Sequence, residues 1–191
     1  MTPFEYVTAV ALLILGLGIT GLLRALIEVF KARDVIRVDV ISLTWGISIF
    51  AVQMQFLWGL YELNRLIPIW TASNFMLIVT LALLLFAAGV LVLPRDPGVP
   101  GRDPAREFAL DGRWALIALS AYFCLAYVAN HILFGVGFFH PLNVLALLLG
   151  ILALTTFLVR THRVRVVTTV LFVVLLLPAI VIWSPPAYQA S

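Results

Sequence analysis

Six apolar runs, each close to the length that crosses a bilayer, dominate this 191-residue chain. A helix rising 1.5 Å per residue needs roughly 20 apolar residues to cross about 30 Å of hydrocarbon. The runs are Phe4–Ile27, Val40–Leu60, Ile69–Leu93, Trp114–Phe134, Leu142–Val159 and Val166–Trp183. Val166–Val174 is rich in β-branched residues, but an open strand in lipid leaves its backbone unpaired, so it too reads as helix. Pro141 suits the first turn of the fifth run, and Pro178 should kink the sixth. The expected fold is all-α: a polytopic membrane helical bundle of about six transmembrane helices, forming a single integral membrane domain over residues 1–191.

Composition agrees. The chain is 63% hydrophobic and 11% charged, whereas a soluble domain carries about 25% charged residues. The lipid bilayer is therefore the first partner. The net charge of +3 does not point to nucleic acid, because the basic residues sit in short connections between apolar runs. Cys124 is the only cysteine, which excludes an intrachain disulfide and a thiolate metal cluster. Lys31 is the only lysine and lies outside the apolar runs, against a retinal-type Schiff base. The first run lacks a basic n-region and ends in Arg24 rather than a cleavage site, so it reads as a span and not a signal peptide.

Arginines set the expected orientation. Arg24, Lys31, Arg33 and Arg37 flank the first connection, Arg95, Arg102, Arg106 and Arg113 the third, and Arg160, Arg163 and Arg165 the fifth. Only Arg65 falls on the opposite side. The positive-inside rule then places both termini outside the cytoplasm of a bacterial inner membrane, with 94–112 as a cytoplasmic loop. Trp58, Tyr61, Trp70 and Trp183 fall at the outer interface. The loop reads as a solvated connector, with Arg95-Asp96-Pro97 recurring as Arg102-Asp103-Pro104.

Gly16-Leu-Gly18-Ile-Thr-Gly21 matches a dinucleotide fingerprint in spelling but lies inside a membrane helix, without the strand that the motif requires. The small residues Gly16, Thr20, Gly21 and Ala25 suit close helix approach instead, within the monomer first and between protomers of a homo-oligomer second. Arg24 and Glu28 are four apart on one face and read as an interfacial ion pair, with a cytoplasmic gate as the sharper alternative.

Polar residues also collect toward the outer ends of the spans: Gln53, Gln55, Trp58 and Glu62 in the second, Asn74 in the third, Asn130 and His131 in the fourth, with His140 and Asn143 flanking the start of the fifth and Glu5 opening the first. Gln55, Trp58 and Glu62 share a face. Such groups avoid lipid, so they should converge on an outward-facing vestibule or hold the bundle by hydrogen bonds. His131 and His140 lack further ligands at metal or haem spacing, so no metal and no cofactor is expected. No hydrolase or metalloprotease motif is present, so catalysis is not expected either.

Gly16-Leu-Gly18-Ile-Thr and Gln53-Met-Gln55-Phe-Leu-Trp58 resemble a family of small bacterial polytopic membrane proteins, over mainly the first three spans. That resemblance implies no activity. The expected function is a small channel or transporter for an ion or small solute, with a polar outer vestibule. The alternative is a non-catalytic accessory or assembly subunit that docks a membrane protein partner. A wet path from the vestibule to Arg24 favours the first, and a dry bundle favours the second.

Overall fold

A computed structural model describes residues 2–32, 39–67, 70–93, 111–159 and 161–182; the side chains of residues 62, 64–66 and 182 are not part of that description. Among the described residues six helices are present: α1 Pro3–Ala32, α2 Val40–Leu66, α3 Ala72–Leu91, α4 Trp114–Phe134, α5 Pro141–Leu158 and α6 His162–Ile182. Each contains a stretch long and apolar enough to cross a membrane. The chain is thus a multi-pass helical membrane protein, and Val166–Val174 is helical as lipid requires. The helix α1 is longer than the run that signals it: 30 residues span about 45 Å, so it exceeds the hydrocarbon thickness. Most of the loop 94–112, together with Arg33, Arg37, Arg160 and Trp183, lies outside the described residues.

Local chemistry fixes the helix ends. Thr2 and Glu5 form a capping box at α1: the Thr2 hydroxyl accepts from the Glu5 N–H at 3.2 Å, and the Glu5 carboxylate accepts from the Thr2 N–H at 2.9 Å. Asp39 accepts from the Ser42 N–H at the start of α2, and Thr71 accepts from the Asn74 N–H at the start of α3. Gly135, at φ 64°, ends α4 in the left-handed conformation that a side chain resists. Pro141 occupies the first turn of α5, where no N–H is needed.

The helices close a ring. The helix α1 lies against α3, α3 against α4, α4 against α5, and α5 against α6, while α2 touches α1, α3, α4 and α6. Phe4 meets Trp70 and Tyr6 stacks on Phe75 at one end. Gly18 approaches Phe86 and Gly21 approaches Val90 farther along, so α1 and α3 run parallel. We call the end where α1 begins the N-terminal end, and the other the arginine-bearing end.

Lipid supplies no hydrophobic force between helices, so small residues and interhelical hydrogen bonds must hold the bundle. Ala11, Ala82, Ala88, Ala115, Ala146 and Ala153 are fully buried along the seams. Large apolar side chains point outward instead: Leu13 is 67% exposed and Val181 74%. In water that surface would aggregate, and in a bilayer it is the solvent-facing coat. The α5–α6 seam carries a Thr156–Thr168 hydroxyl pair at 2.8 Å.

Between α2 and α6, the buried Trp45 indole donates to the Thr169 hydroxyl at 3.0 Å, and its ring lies 4.5 Å from that of Phe172. Trp45→Phe and Thr169→Val should each lower stability in an SDS titration. Because both break the same bond, the double variant should lose about 1 kcal/mol less than the sum. Strict additivity would show that the bond contributes nothing.

Candidate functional site

A cavity of about 440 Å³ opens between α2, α3, α4 and α6 toward the N-terminal end. Its size falls in the range of small-molecule sites, roughly 300–1,000 Å³. One wall is the α2 face carrying Val52, Phe56, Gly59 and Leu63. The facing wall is α4, whose Ala126 and Ala129 stand between Tyr122 and Leu133 on one helical face. Small side chains at those two positions, and none at Gly59, leave the space unfilled. Phe134, at the end of α4, and Trp58 and Gly59, seven to eight residues inside the end of α2, are lining residues that are also exposed, so the cavity reaches the bundle surface both at that end and partway along α2.

Below the cavity, Trp45, Phe123 and Phe172 are buried, with Phe172 at 4.5 Å from Trp45 and 6.0 Å from Phe123 between ring centres. This aromatic layer lies between the cavity and the arginine-bearing end.

The predicted polar residues divide into three settings. Gln55, Trp58 and Asn130 line the cavity. Gln53 does not: it is fully buried where α1, α2 and α3 meet, and its amide donates to the Leu85 carbonyl at 3.0 Å. Gly18 and Gly89 make that room, since a Cβ on Gly89 would lie 2.7 Å from the Gln53 amide nitrogen and one on Gly18 3.3 Å from it. The Gln53 carbonyl oxygen is buried without a hydrogen-bond partner.

Asn130 and His131 tie the α4–α5 turn. Asn130 donates to Asn143 at 3.0 Å, and the fully buried Asn143 donates to the Gly137 carbonyl at 3.1 Å and, at a longer 3.4 Å, to that of Val136. His131 Nδ1 lies 3.0 Å from the Val136 carbonyl, which can only accept, so Nδ1 carries the proton. The His131 ring stacks on Phe138 at 3.9 Å. His131 is therefore held by the turn, and it is not among the cavity lining. Asn74 stands in the first turn of α3, its N–H taken by Thr71. The Glu62 side chain lies outside the described residues.

Away from the cavity, Arg24 and Glu28 form the expected i,i+4 pair, Nε to Oε1 at 2.8 Å, with Arg24 78% exposed and Glu28 31%. Such exposure holds the pair to a few tenths of a kcal/mol. Gly16 packs against nothing within reach of a Cβ, so Gly18 rather than Gly16 is the close-approach residue of the small-residue motif. His140 caps α5 through Nδ1 at 3.4 Å from the Leu142 N–H. Among the described residues no group of three or more His, Cys, Asp or Glu could hold a metal ion.

No protein-family model, curated protein or solved structure matches this chain.

Asn143, expected among the converging polar groups, is a buried hub of the α4–α5 turn. One functional feature escaped the sequence reading. Tyr122 lines the cavity at its deep end, with its ring between Phe56 and Phe123. The available signal was the small-residue face Tyr122–Ala126–Ala129–Asn130, which repeats at helical spacing.

Proposed function

We propose that this chain is a small bacterial inner-membrane carrier, with both termini outside, that admits a neutral and mostly apolar molecule from the outer side into the cavity between α2 and α4. The single observation that carries the reading is the cavity itself, about 440 Å³ and open at the end that the arginine distribution assigns to the outside. Its described lining bears no charge; the polar side chains are Gln55, Trp58, Tyr122 and Asn130. An ion there would lose hydration worth several kcal/mol with no charged partner among the described side chains to offset it, so we favour neutral molecules over ions as the solute class. The buried aromatic layer of Trp45, Phe123 and Phe172 argues against an open channel, and it supports the accessory reading as well as a carrier that exposes its site to one side at a time.

The expected result is saturable uptake, above the bilayer leak, of neutral diols graded from ethylene glycol to hexanediol in reconstituted vesicles. Uptake should rise with apolar content, with no protein-dependent flux of sodium or chloride. Uptake at the leak rate for every diol, from folded protein, would remove the carrier reading. It would favour the second reading, a non-catalytic accessory subunit. The observation behind that alternative is the lipid-facing Gly16–Thr20 step on α1, where both residues are exposed and a neighbouring helix of a homo-oligomer or membrane partner has room to approach.

A further inference from the structure

The deep end of the cavity holds a polar group without a protein partner. Tyr122 is 9% exposed, and its ring is fixed by Phe56 at 6.1 Å and Phe123 at 5.2 Å. Its hydroxyl forms no hydrogen bond with any described residue, although it belongs to the cavity lining. Buried tyrosine hydroxyls ordinarily find a partner, and one left without costs about 1–3 kcal/mol. The other buried polar side chains named above behave differently: Trp45, Asn143, Thr156 and Thr168 are all hydrogen-bonded across helices. Gln53 keeps one orphan oxygen, but it lies in a closed seam rather than in the cavity lining.

Depth restricts what can satisfy Tyr122. It stands twelve residues before Phe134 at the open end of α4, about 18 Å along the helix axis. That is close to the centre of the span. A bilayer phospholipid keeps its oxygen atoms at the interface and sends only hydrocarbon to this depth. The occupant must instead carry an oxygen inside the membrane and extend its apolar part past Ala126, Ala129 and Leu133 toward Phe134.

We propose that the cavity takes a single-chain amphiphile inserted oxygen-first, whose neutral hydroxyl or carbonyl oxygen hydrogen-bonds to the Tyr122 hydroxyl while its hydrocarbon fills the channel between α2 and α4. Tyr122 donates to a carbonyl, or exchanges donor and acceptor roles with an alcohol. This inference rests on the carrier reading for its site but not for its direction of movement.

Trp58, two residues along α2 from the Phe56 that packs on Tyr122, stands near the anchor and supplies the readout. Bromine quenches indole fluorescence on contact, so a bromododecanol brominated at the third carbon from its hydroxyl is compared with 3-bromododecane in lipid nanodiscs. The Trp58→Phe variant isolates the contribution of Trp58. The expected result is saturable quenching by both probes, with the alcohol bound about three- to tenfold more tightly, as one net hydrogen bond predicts. In Tyr122→Phe the alcohol should fall to the level of the alkane, because only the hydroxyl is removed and no protein hydrogen bond is lost. Equal affinities in the unaltered protein, or an alcohol preference that survives Tyr122→Phe, would overturn the anchor while leaving the cavity reading intact. Quenching that rises linearly with either probe and never saturates would overturn the anchor and the cavity reading together.

Discussion

Gly18→Leu should prevent the bundle from forming, while Gly16→Leu should leave it at its original stability. The two glycines are two residues apart on α1 and face different surroundings. A Cβ at Gly18 would lie 3.2 Å from the Phe86 Cα, and backbone cannot move aside as a side-chain tip can. It would also press on the Gln53 amide, whose place between α1 and α3 depends on the same gap. A leucine must separate α1 from α3 along their whole contact, and overpacking of this kind costs about 3 kcal/mol or more. Even Gly18→Ala should cost about 1–2 kcal/mol. At Gly16 a Cβ meets nothing within 4 Å, and the added side chain simply joins the lipid-facing coat. Detergent-solubilised yield and melting temperature check both variants. Equal behaviour of Gly16→Leu and Gly18→Leu would show that the α1–α3 seam does not hold the bundle.

The contrast shows what a linear sequence conveys and what it hides. Six apolar runs fix six helices, because lipid leaves a chain of this composition no other way to satisfy its backbone. Helical periodicity also placed Gln55 and Trp58 together, since residues three apart share a face. It was depth alone that joined Gln53 and His131 to them. Gln53 and Gln55 sit at one depth, yet two residues are about 200° around the helix, so one enters the α1–α3 seam and the other the cavity. His131 has the right depth, but its Nδ1–H is taken by the Val136 carbonyl through a turn that Gly135 sets up. Which faces of non-sequential helices meet depends on tertiary packing, so the pairing of α2 with α4 around Tyr122 had no local signal beyond the small residues that leave the space.

Ala126→Phe should abolish uptake and binding while the fold survives. Ala126 lies on α4 one turn above Tyr122 and lines the cavity from a half-buried position. A benzyl side chain there projects into space that is empty of protein, so it should not disturb a neighbouring helix. Filling a cavity commonly adds about 0.5–2 kcal/mol of stability, so the melting temperature should stay level or rise. The same ring stands between the open end and the Tyr122 hydroxyl, and the path for an apolar molecule is lost. Bromododecanol binding should weaken at least about tenfold, since the displaced chain loses most of its buried apolar surface. The most direct test of a solute-admitting cavity is therefore saturable hexanediol uptake by the unaltered protein and by Ala126→Phe, in vesicles holding equal amounts of each folded protein. A saturable component in the first and only the bilayer leak in the second is the result this account predicts. Equal saturable uptake by both would mean that solute crosses elsewhere, and it would contradict the assignment of the cavity between α2 and α4.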